Sequence, residues 1–113
     1  MIFFKHKAVD IDGKYIEFEA LSDDVALGKC VLSLVGGAAE ITEICLSEDN
    51  HDTVEGLVRA AFNYAANRNY YIGICSAKDV DKYLEKMNFC KSDNGYTNDI
   101  PSILMGSCKN CAK

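Results

Sequence analysis

At 113 residues, 49 % of them apolar, and with a net charge of −5, the chain has the size and composition of one globular domain. An acidic surface repels nucleic acid and anionic membrane, and the stretch from Cys30 to Val58 holds Glu40, Glu43, Glu48, Asp49, Asp52 and Glu55 with no Lys or Arg. No segment reaches the roughly 18 apolar residues of a membrane span, and the opening MIFF meets Lys5-His6-Lys7 too soon for a signal-peptide core. These features set aside nucleic-acid and membrane partners, and they give the expectation of a cytoplasmic protein whose six cysteines are thiols rather than a disulfide framework.

Ile2–Val9 is rich in β-formers, Asp12-Gly13 is a hairpin signal, and KYIEFEAL after it alternates acidic and apolar residues. Ser22–Asp24 breaks the chain, ALGKCVLSLV reads as a third strand, Gly36-Gly37 turns it, and AAEITEICL alternates as its partner. An antiparallel meander of four strands is therefore expected up to Leu46. The period then changes. Val54, Leu57, Val58, Ala61 and Ala65 recur at helical spacing, Asp52 is a cap with Glu55 completing a capping box, and Asn67-Arg68-Asn69 ends the helix.

YYIGIC, Tyr70–Cys75, shows no polar alternation and predicts a strand buried on both faces. Ser76 can cap a second helix whose apolar face is Val80, Tyr83, Leu84 and Met87, with Asn88 at its end. FCKS and SILMG read as two short final strands around the turn DNG. The class is α+β: a meander, then helix–strand–helix and two strands, all in a single domain spanning 1–113. The strand ending at Leu46 and the one ending at Cys75 are expected to be adjacent and parallel.

The loop after Leu46 can present backbone amides and a helix N-terminus to an anion, but Glu48, Asp49, Asp52 and Glu55 crowd it. Carboxylates there also have a purely structural use, since the helix dipole favours them. Among the thiols, Cys30, Cys45, Cys75 and Cys90 fit small buried hydrophobes. Cys108 and Cys111 form one Cys-x-x-Cys, half of a zinc site, in a tail at 106–113 expected to fray. No metal is expected; if one binds, the ligands are Cys45, Cys75, Cys108 and Cys111. His51 reads as a surface residue among acids, with a general base as the minor alternative.

ALGKCVLSLVGGAAEITEICLSED, then GLVRAAFNYAANRNYYIGIC, then LEKMNF at Leu84–Phe89, resembles the GNAT superfamily of acyl-CoA-dependent N-acetyltransferases over about Ala26 to Met105. The resemblance implies a sheet splayed at its parallel strand pair, with Cys45 and Cys75 close together at the gap, and acetyl-CoA as cofactor. It implies that the cofactor is held by the backbone of Leu46, Ser47, Thr53, Val54, Glu55 and Gly56. It also implies transfer of an acetyl group to an amine whose identity is unknown. Glu43, on the strand leading to the cleft and expected on the side of Ile41 and Cys45, is the candidate base. Tyr83 is the candidate acid, one residue from the family's tyrosine position, which here is Leu84. The family's loop Arg and glycine pair are missing, and its usual opening helices have no counterpart before Ala26. Acetyl-CoA binding is accordingly expected to be weak. Two other readings stand beside the enzyme: a catalytically inactive GNAT-fold protein for binding or homodimerisation, and a small thiol- or zinc-binding domain.

Overall fold

The computed structural model describes residues 2–47, 50–78, 80–84, 89–92 and 95–101. Within them the chain forms β1 (Phe3–Ala8), β2 (Tyr15–Ser22), β3 (Val25–Ser33), β4 (Ala39–Leu46), α1 (His51–Ala66), β5 (Ile72–Cys75), the single turn α2 (Asp81–Leu84), β6 (Cys90–Ser92) and β7 (Gly95–Asp99). The strands make one seven-stranded sheet in the order β1-β2-β3-β4-β5-β7-β6. The four-strand meander expected from the sequence is present, and β4 pairs parallel with β5 while every other neighbouring pair is antiparallel.

Local chemistry sets the turns. The Asp10 carboxylate accepts from the amides of Lys14 and Tyr15, both at 3.0 Å, so the first connection is built on Asp10 as well as on Asp12-Gly13. Asp23 and Asp24 hold φ of 51° and 69°, the left-handed positions that a tight hairpin needs and that Asp tolerates. After β3 the chain reverses through Gly36 and Gly37, at φ 87° and 85°, where a side chain would be strained.

The helix starts earlier than the capping-box reading placed it. Asn50, not Asp52, is the N-cap: its backbone is extended and its side chain accepts from the Thr53 amide at 3.2 Å. Asp52 lies in the first turn, where the dipole still favours it, and Glu55 is two residues too late for a capping box. One face of α1 then buries Val54, Leu57, Val58, Ala61, Phe62 and Ala65 against Ile16, Phe18 and Ala20 of β2 and Cys30 and Leu32 of β3. All six of these helix side chains, four of them larger than alanine, are 0 % exposed, so the helix–sheet interface is the core.

Two expectations need correction. β5 is not buried on both faces: Gly73 and Cys75 are buried, but Tyr71 is 64 % and Ile72 46 % exposed, because no described element covers the second face of the sheet. Ser76 does not cap α2; its hydroxyl donates to the Glu40 carboxylate. Among the described residues the last strand is Gly95–Asp99, GYTND, which pairs with β6 and adds to β5. Residues 102–113, with SILMG and the Cys-x-x-Cys, lie outside the described residues, as do Met87 and Asn88.

Candidate functional site

The parallel pair β4–β5 is short. Ala39 faces Gly73, Glu40 faces Ile74 and Ile41 faces Cys75, and there the pairing stops. The last link is the Ser76 amide, which donates to the Ile41 carbonyl at 3.0 Å. Beyond it β4 runs on to Leu46, paired only with β3, so its other edge is open to a ligand. The bond from the Ser76 hydroxyl to Glu40 clasps the two strands at this point of separation.

β4 also changes face here. Glu43 faces Val31 and Ile41 faces Leu32, which leaves Thr42 as an extra, bulged residue. Ile41 is buried and Ile44 and Leu46 are half-buried on the helix side, whereas Thr42, Glu43 and Cys45 are exposed. Strict alternation had put Glu43 and Cys45 on the side of Ile41; the bulge turns them to the opposite face. Glu43 thereby comes to stand on the solvent side of the fork, two residues past its closed end.

The fork leads to the N-terminus of α1. Helix geometry leaves the first amides without acceptors in the helix. Asn50 takes two of them, Thr53 through its side chain and Val54 through its carbonyl at 3.3 Å. The Ser47 amide is engaged by the Leu27 carbonyl at 3.0 Å. Glu55 and Gly56 lie far enough into α1 for their amides to bond within it. Of the backbone set expected to hold a cofactor, Ser47, Thr53, Val54, Glu55 and Gly56 are thus already committed. The amides of His51 and Asp52 have no acceptor among the described residues, and they were missed because the helix was started too late. Glu48 and Asp49 lie outside the described residues.

Gly56 has a packing role. A Cβ there would collide with the Phe4 ring, which lies on α1 from β1. Glycine at this position allows strand and helix to approach, and sequence alone could not show it.

His51 stacks on Tyr83, ring centroids 6.0 Å apart and 26° between planes, and its Nε2 lies 3.9 Å from Glu55 on the next turn. Tyr83 is 5 % exposed, so α2 props the start of α1 with this side chain. Thr53 is 1 % exposed, and its hydroxyl has no hydrogen-bond partner among the described residues.

The thiols do not converge. Cys75 is buried opposite Ile41, whereas Cys45 is exposed four residues further along β4, about 13 Å at strand spacing. The expectation that they lie together fails because the strands part between them. Cys30 is the thiol nearest in character to Cys75: both are buried, and burial first, then the neighbouring Cys75, push the Cys30 thiol far above its ordinary range. No group of three or more metal-ligating side chains occurs among the described residues, and Cys108 and Cys111 lie outside them. No helix among the described residues is long and apolar enough to cross a membrane.

No family model matches the chain, and no curated protein matches it. Solved structures do. A GNAT-family structure from Desulfovibrio desulfuricans superposes with a TM-score of 0.67 at 9 % identity, over 88 % of this chain and 99 % of that one. The aminoglycoside 6'-N-acetyltransferase of Enterococcus faecium gives 0.64 at 11 % identity, over 82 % and 77 %. The PaiA N-acetyltransferase of Thermoplasma acidophilum, solved with coenzyme A, gives 0.60 at 16 % identity, over 74 % and 58 %. At these identities the likeness is one of fold: this chain folds as the GNAT N-acetyltransferases do.

Proposed function

We propose that the chain is a small acetyl-CoA-dependent N-acetyltransferase, acting on an amine of unknown identity. The observation that carries this reading is the fork, where β4 presents an unpaired edge running toward a helix N-terminus with two unclaimed amides. The residues fit the cofactor in backbone but not in charge. The open edge of β4 suits the amides of an extended pantetheine arm, and the His51 and Asp52 amides suit a phosphate. The acidic side chains between Glu40 and Glu55 oppose that phosphate, and no Lys or Arg in this stretch offsets them. Each unit charge at about 6 Å costs on the order of 1–3 kcal/mol at surface-like dielectric.

Acetyl-CoA would supply the activated acyl group. Glu43, exposed at the fork, is assigned as the base that accepts the ammonium proton of the incoming amine through water. Tyr83 is assigned to holding His51 and the start of α1 rather than to proton delivery, because its ring is used in that stack. The same charge conflict supports a second reading, a GNAT-fold protein that binds or dimerises without catalysis.

Calorimetric titration with acetyl-CoA at low and moderate salt separates the two. Binding by the native chain is expected to be weak, and Glu48→Gln with Asp49→Asn is expected to tighten it several-fold, more at low salt. Low-micromolar binding unchanged by that pair would overturn the electrostatic account. No binding by either form would remove the acetyltransferase reading and leave the binding protein.

A further inference from the structure

At the far side of the sheet, three strands from the fork, β1 is an edge strand: it pairs with β2, and no described residue pairs with its other side. All six of its residues are exposed. Above it lies the flank of α1, where Gly56, Arg59, Ala60 and Asn63 follow helical spacing and, with Phe4, line a groove of about 500 Å³. The Phe4 ring packs on Gly56 at one end of that space, and the small Ala60 leaves the rest of it open.

We propose that this groove docks an extended segment of a partner protein in which apolar and acidic residues alternate, added to β1 as a further strand. The inner edge of β1 already accepts a strand of that composition. Opposite β1, strand β2 places Glu17 and Glu19 against Lys7 and Lys5, with ion-pair distances of 3.9 and 3.8 Å. Its alternate residues Ile16, Phe18 and Ala20 turn under α1 and are buried. The outer edge of β1 offers the same two surroundings. Lys5 and Lys7, whose side chains are 68 % and 73 % exposed, stand on one face, and the helix flank stands on the other. Arg59 adds a cation with no ion-pair partner among the described residues.

In an otherwise acidic chain, residues 1–9 contain no Asp or Glu, so this edge is complementary to an acidic segment. A second copy pairing through β1 fits less well. Antiparallel pairing about His6 would set Lys5 against Lys7 twice, and like charges directly opposite are unfavourable. Strand addition at a free sheet edge gives affinity through main-chain bonds and specificity through alternate side chains.

The test uses the full chain and a fluorescent eight-residue peptide with the sequence of Tyr15–Ser22. Anisotropy titration should show saturable binding, at least ten-fold weaker for the same peptide with both glutamates replaced by lysine. Lys5→Gln with Lys7→Gln should weaken it about five-fold, and Ala60→Gln, which fills the groove, by a similar factor; circular dichroism checks that each variant folds. Amide shift mapping on the native chain should place the perturbed residues on Phe3–Ala8 and on the helix flank from Gly56 to Asn63. Shifts elsewhere, equal binding of the lysine peptide, or no saturation at millimolar peptide would overturn the proposal. A concentration-dependent dimer that protects the β1 amides without peptide would also overturn it, by assigning the edge to a second copy.

Discussion

The two faces of the sheet are made by the same strands and behave as different materials. On the helix face, Ile16, Phe18, Cys30, Leu32, Ala39 and Ile41 are at most 2 % exposed and meet α1. On the other face, Lys5, Lys7, Glu17, Glu19 and Lys29 form a lattice of ion pairs near 3.8–3.9 Å, most of it wet. Burial of apolar area stabilises a side chain by roughly 25 cal/mol per Å², whereas exposed ion pairs contribute about 0–1 kcal/mol. Stability therefore resides on one face, and the other is free to carry interactions. The bulge at Thr42 is where a single strand crosses between these regimes, turning Glu43 and Cys45 outward while Ile44 stays half-buried.

The contrast is most sharply tested by paired substitutions. Phe62→Ala, in the centre of the helix interface, is expected to cost about 3–5 kcal/mol in urea unfolding. Lys29→Ala, on the wet face, should stay within about 0.5 kcal/mol. If the two losses came within a kilocalorie of each other, the division of labour between the faces would be refuted.

A smaller effect comes from the thiol under the helix. Burial raises the Cys30 pKa above its ordinary 9.0, so the folded chain keeps this proton when the unfolded chain releases it. The contribution is fully present below pH 9.0 and is lost as pH rises toward the folded value, at about 1.4 kcal/mol per pH unit from this group. Unfolding curves between pH 8 and 10.5 should therefore be less steep in pH for Cys30→Ala than for the native chain; equal slopes would mean that Cys30 is not held neutral.

The smallest effect concerns the rim of the covered face. Gly56→Ala is expected to cost about 1 kcal/mol, because the added Cβ displaces the half-exposed Phe4 ring. In a Phe4→Ala background the same change should become stabilising by up to about 1 kcal/mol, since alanine is the better helix former. A destabilisation that persists without the ring would show that backbone, not Phe4, limits the approach of β1 to α1.

The sequence carried the meander, the amphipathic helix and the parallel β4–β5 pair in its periods: alternation needs only the two-residue repeat of a strand, and the α1 stripe only the helical repeat. The cap was misread: the pattern pointed to Asp52, while Asn50, two residues earlier, holds the role, and since Asn ranks with Asp as a cap local chemistry does not choose between them. Other features lay beyond any local pattern. A bulge depends on the register between two strands, so Glu43 was placed on the wrong face by a rule that holds only without one. Ser76 left its expected helix cap for Glu40, a residue 36 positions away that only strand pairing brings near. Cys45 and Cys75 were expected to meet because their strands are neighbours, but where two paired strands part is set by the tertiary packing around them. Sequence by itself determined which elements form and which of their residues prefer burial, because those are properties of short windows. Tertiary structure alone decided where the sheet opens, which amides remain unclaimed and which edge stays bare, because each depends on contacts between residues distant in the chain.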